Sequence, residues 1–187
     1  MDTSSQAAFA AAPTFTADDV GAILRERGWL DAACDAKAVD REPALQAWLA
    51  RAAELLGPQA EDRQALGELL ALVFNYDASA ILRDEANRAV FTREGVRDVI
   101  RELANRILAG GDVESERFKA IVEGMKAVLP YRSRDLFLPI RVALVGRPGE
   151  GALDRVILLL DAAAKLPFVA PVKGTRQRML EFCAALD

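Results

Sequence analysis

No histidine occurs among the 187 residues of this chain, and that absence removes much of ordinary enzymology. Ser-His-Asp and Cys-His nucleophile arrangements need an imidazole, as do most catalytic zinc sites. Cysteine is scarce too. Cys34 and Cys183 stand far apart, form no ligand-spaced motif and cannot build a structural zinc site alone. They read as two reduced, buried thiols of a cytoplasmic protein. Neither a Gly-x-Gly-x-x-Gly nor a Gly-x-x-x-x-Gly-Lys-(Ser/Thr) loop is present, so no cofactor is expected. The longest apolar run, Val156-Ile157-Leu158-Leu159-Leu160, is far too short to span a bilayer. Met1 to Ser5 carry an acid and no base, so the alanines after them do not read as a secretory signal.

What is present favours helix. Hydrophobic residues make up 52%, mostly Ala and Leu, while Tyr numbers two, a balance that suits helices better than sheets. Residues 1–15 are small and alanine-rich and read as a mobile leader. Thr16, with Asp19 three residues on, caps a helix whose stripe is Val20, Ile23 and Leu24 and which Gly28 ends. A second helix follows Asp40, carries Leu45, Trp48, Leu49, Ala52 and Leu56, and stops at Gly57-Pro58. A third runs from about 60 to 73. Residues 78–91 predict a short helix and a connection. Thr92 is expected to cap a helix through Ala109 that Gly110-Gly111 terminates. Others are expected over about 115–129, 152–165 and 175–186. Pro139 requires its own helix to start just upstream, near Ser133 or Asp135. Nothing alternates with period two. The expected fold is therefore all-α, a multi-helix bundle of two small packed subdomains, 16–110 and 111–187. Asp and Glu fall mainly on polar helix faces, so the chain alone is not expected to be an enzyme.

Charge is uneven. Residues 117–178 hold twelve cations and five acids, a net of +7, within a chain whose net charge is −4. A basic region on an acidic protein suits a partner that touches one end, such as an RNA loop.

Within that region Leu136-Phe137-Leu138-Pro139-Ile140-Arg141-Val142-Ala143-Leu144-Val145-Gly146-Arg147 sets one arginine in an apolar strip, then a glycine turn and a second arginine. A cation in a core-like strip needs an anionic or carbonyl-rich partner. The strip resembles the signature of the C-terminal anticodon-binding region of bacterial glutamyl-tRNA synthetases, roughly Leu-Phe-x-Pro-(Leu/Ile)-Arg-x-Ala-Leu-Thr-Gly. Val145 stands where that family has threonine. Leu66-Gly67-Glu68-Leu69-Leu70, Phe74-Asn75-Tyr76-Asp77 and Phe91-Thr92-Arg93-Glu94-Gly95-Val96 are similar to the same helical region in the same order. The likeness covers roughly residues 16–187. No Rossmann fold, His-Ile-Gly-His-type element or Lys-Met-Ser-Lys-Ser loop occurs here, so no ATP or glutamate site is carried over.

The resemblance implies a tRNA anticodon arm as partner, of glutamate type, and a synthetase catalytic domain in cis or in trans. It implies RNA-binding roles for Arg134, Arg141, Arg147, Gly151 and Leu153. A guanidinium can donate two hydrogen bonds to a base edge and also stack on it. Glu150 and Gly151 depart from the family's usual small polar residue and proline. Two readings of Arg141 stay open: a base reader, or a buried arginine that caps helix carbonyls or pairs with Asp135 or Asp154. The competing function is a free-standing helical protein-interaction module that has lost RNA binding.

Overall fold

The computed structural model describes residues 14–31 and 43–186, which form ten α-helices and no strand. The expected all-α class holds. Met1 to Pro13, Cys34 and Asp40 lie outside the described residues. Phe15, assigned to the leader, packs half-buried against the core.

Helix α1 (Ala17–Glu26) opens on the expected capping box. The Asp19 N–H donates to Thr16 Oγ1 and the Thr16 N–H donates to Asp19 Oδ2. Gly28, at φ 72°, turns the chain so that Trp29 stacks on Phe74 with ring centroids 4.6 Å apart. Helix α2 (Pro43–Leu56) ends in a tight turn at Gly57-Pro58. Helix α3 (Arg63–Phe74) starts a few residues later than expected, because Asp62 accepts from the Ala65 N–H and fixes the first turn there.

Two expectations need correction. Residues 78–91 form two helices rather than one: α4 (Ala78–Arg83) and α5 (Glu85–Phe91). Asp84 divides them. Its N–H closes α4 on the Ala80 carbonyl while its side chain accepts from the Asn87 N–H and opens α5. Nor does Thr92 cap the next helix. Its hydroxyl turns back to the Ala89 carbonyl and closes α5, and α6 (Val96–Leu108) opens from Gly95 instead. Gly95 sits at φ 78°, and a Cβ there would stand 1.9 Å from the Tyr131 ring, so only glycine fits.

Helix α7 (Ser115–Val128), α8 (Ser133–Val145), α9 (Ala152–Ala163) and α10 (Thr175–Leu186) complete the chain. Helix α8 starts at Ser133 as expected and carries Pro139 inside it. Pro139 has no N–H to donate to the Asp135 carbonyl one turn back.

Helix α9 packs on α2 and α3, and α8 packs on α6. The apolar cluster runs continuously through residues on both sides of Gly110-Gly111. Trp48 anchors one junction: its ring meets Phe74 and Phe168 edge-on, and its Nε1–H donates to the Leu159 carbonyl at 3.1 Å. Such aromatic pairs add about 0.5–1.5 kcal/mol each beyond the area they bury. Asp161, on α9, accepts from the Val113 and Thr175 N–H groups and the Thr175 hydroxyl, which seats α10 against α9. Cys183, expected buried, is half-buried.

Among the described residues no helix is long and apolar enough to cross a membrane. Nor do any three His, Cys, Asp or Glu side chains there gather as metal ligands would.

Candidate nucleic-acid interface

The C-terminal end of α8 launches the loop that the signature singled out. A helix end leaves its last carbonyls without intrahelical partners; here side chains from elsewhere take them up. The Gly146 N–H, at φ 92°, bonds the Arg141 and Val142 carbonyls. Tyr76 Oη donates to the Ala143 carbonyl at 2.5 Å, Arg178 Nη1 to Leu144 at 2.8 Å, and Asn87 Nδ2 to Gly146 at 2.9 Å. A Cβ on Gly146 would press on the Ile81 side chain at 3.0 Å. The end of α8 is thus nailed to α4, α5 and α10.

Arg178 is the centre of this closure. It is 0% exposed and has no carboxylate partner among the described residues; its guanidinium donates to the carbonyls of Leu72, Val73, Leu144 and Lys173 and lies over the Tyr76 ring. Carbonyls at the ends of α3 and α8 carry partial negative charge, which stabilises the cation. Burial still pulls the Arg178 pKa down to about 10, and it raises that of Tyr76.

Beyond Gly146, residues 147–151 cross the surface to α9. Arg141 braces them from below. Its Nε and Nη2 donate to Asp154 Oδ1 and Oδ2 at 2.7 and 2.8 Å, and its Nη1 donates to the Gly149 carbonyl at 2.6 Å. Phe137, one turn earlier, covers the guanidinium face at 5.2 Å. Of the alternatives for Arg141, pairing with Asp154 is present, while Asp135 pairs with Arg93. The Arg141 side chain is 12% exposed and still lines a cleft of about 670 Å³ together with Arg93, Arg134, Leu138 and Gly149 to Gly151.

The other expected residues separate by exposure. Arg134 and Arg147 are exposed and have no hydrogen-bond or ion-pair partner among the described residues. Gly151 is exposed and lines clefts on both sides of the loop. Leu153 is 3% exposed, and its Cδ1 lies 2.7 Å from where a Cβ on Gly149 would stand. It supports the loop from inside.

Two residues of this site escaped the sequence reading. Arg178 occupies the apolar stripe of α10, between buried Thr175 and Phe182 at helical spacing, and that placement was the available signal. Asn87 follows the Asp84 cap by three residues and gives no sign of its long-range bond.

The class so defined is an all-α domain whose braced loop carries an exposed arginine with no partner among the described residues. Comparison narrows the class. The family model described as an anticodon binding domain matches residues 22–162, and the chain belongs to that family. Arg134, Arg141, Arg147, Gly151 and Leu153 all lie inside the match. The chain is also similar to the glutamate–tRNA ligase of Heliobacterium modesticaldum (strain ATCC 51547 / Ice1), 32% identical over 88 residues, covering 47% of this chain and 18% of the ligase. It resembles the glutamate–tRNA ligase of Bacillus mycoides (strain KBAB4) at 26% identity over 129 residues, 69% of this chain and 26% of that one. The aligned part is thus about a quarter or less of each relative. No solved structure matches the chain.

Proposed function

We propose that this chain is a non-catalytic module of glutamyl-tRNA synthetase type that binds a tRNA anticodon arm and supports recognition of tRNA for glutamylation. A synthetase catalytic domain, in cis or in trans, would supply the chemistry. One observation carries the reading: an exposed, unpaired Arg147 stands on a loop whose base is braced by Arg141, Asp154 and Asn87. A braced loop spares the backbone ordering cost of binding, although the Arg147 side chain itself gives up about 0.5–1.5 kcal/mol of rotamer entropy when it meets a phosphate or a base edge. Arg147 and Arg134 make direct contacts in this account. Gly151 admits close approach of the RNA, Leu153 holds the loop, and Arg141 shapes the cleft that it lines.

The exposed Glu150 at the loop tip and the net charge of −4 favour a second reading, a protein-interaction module without RNA. Titration of the chain with an anticodon stem–loop of a glutamate-accepting tRNA separates the two. The RNA reading expects binding that weakens as salt rises, because each phosphate contact releases condensed counterions. Arg147→Ala should lower affinity and reduce the slope of log K against log salt by about one, with stability unchanged within about 0.5 kcal/mol. Binding that is insensitive to salt, or no preference over an unrelated hairpin, would favour the interaction module.

A further inference from the structure

We propose that Asn87 is a positioning residue for RNA recognition, acting on Arg147 through the peptide that joins it to Gly146. This rests on the anticodon-arm reading and adds to it a residue from a different part of the chain. Asn87 is 2% exposed. Its Nδ2 donates to two carbonyls at 2.9 Å each, that of Ile81 near the end of α4 and that of Gly146 at the end of α8. The Gly146 carbonyl and the Arg147 N–H belong to one rigid peptide plane. Holding the carbonyl therefore sets the direction in which the chain leaves Gly146, and with it the place of the Arg147 Cα.

A second observation sets this apart from ordinary packing. Asn87 Oδ1 is buried and has no hydrogen-bond partner among the described residues. An unpaired buried acceptor costs stability, and an apolar side chain of the same size would avoid that cost. The amide is thus a poor choice for a simple core position and a good one for gripping two carbonyls 65 residues apart along the chain. Gly146 is bound from one side by Asn87, and Gly149 from the other by Arg141. Arg147 and Pro148 lie between these two grips. The loop is anchored at both flanks and the free cation sits in its span.

The test is a double-mutant cycle on affinity for the anticodon stem–loop, with Asn87→Ala and Arg147→Ala singly and together. Asn87→Leu stands in if Asn87→Ala unfolds, since it fills a similar volume and removes the unpaired acceptor. The expected result is that each single change weakens binding about tenfold, while Arg147→Ala costs less than about twofold once Asn87 is gone. Melting would show the Asn87 variant folded at the assay temperature. Additive losses would overturn the positioning role and leave the anticodon reading intact. So would a folded Asn87 variant with undiminished affinity. If neither Asn87 variant folds, the residue is structural and the proposal fails. No binding by the unaltered chain would overturn the anticodon reading, and this inference with it.

Discussion

Arg178 and Arg141 serve the same short stretch of chain in opposite ways. Arg178 lies wholly inside, meets no carboxylate among the described residues and gives its hydrogen bonds to backbone carbonyls of α3, α8 and the turn before α10. Arg141 lies at the edge, takes both oxygens of Asp154 and spends one further donor on the loop. The first closes a core and the second shapes a surface. Arg147, a few residues on, is exposed and makes no such bond among the described residues. Three arginines of one chain thus grade from buried to braced to exposed, and what differs among them is which acceptors the fold brings near.

The largest effect should come from the buried member. Arg178→Met keeps much of the volume and removes the donors, leaving four buried or half-buried carbonyls unpaired. We expect a loss of about 3–5 kcal/mol in urea unfolding. A loss below about 1 kcal/mol would mean that water or backbone shifts replace the guanidinium, and the contrast with Arg141 would fail.

The edge member should give a smaller, two-sided effect. Arg141→Lys keeps the charge but cannot span both oxygens of Asp154 while also reaching Gly149. A loss of about 1–3 kcal/mol is expected in thermal unfolding, together with weaker RNA binding as the loop loosens. If stability stays unchanged while binding falls, Arg141 acts as a reader more than a brace. If stability falls and binding does not, the brace has no bearing on recognition.

The smallest effect concerns two helix caps. Asp77 and Asp19 are surface carboxylates whose pKa values are lowered, in Asp77 chiefly by the Ala80 N–H and in Asp19 by the Thr16 N–H and hydroxyl. A lowered folded-state pKa adds stability that is present above the unfolded value, and it is lost as pH falls through the folded one. The first turns of α1 and α4 should therefore loosen below about pH 4. Backbone amide exchange at Ala80 reports it, and Asp77→Asn should flatten the response. An amide there that exchanges alike at pH 3 and pH 6, after correction for intrinsic rates, would remove this cap from the account.

Much of the helical layout was legible along the chain because helix ends are written locally. The Thr16–Asp19 box and the Gly57-Pro58 stop both follow from residues within a turn of the boundary. Thr92 misled because a threonine can cap in either direction. Its hydroxyl found the Ala89 carbonyl, and the glycine next to Tyr131 took over the start of α6. The signature pointed to the loop after Gly146 and left two readings open for Arg141, of which an Asp154 pair is the geometry seen.

The residue types alone determined the class of fold, the exclusion of imidazole chemistry and the approximate ends of most helices, since each depends on composition or on neighbours a few positions away. Tertiary structure decided which cations are spent and which are free. Arg178 meets the Leu72 carbonyl 106 residues back along the chain, and Asn87 meets Gly146 59 residues ahead. A hydrogen bond across such a separation leaves no periodic mark in the sequence. It is set by how the helices pack, and only that packing separates the buried arginine from the braced one and the exposed one.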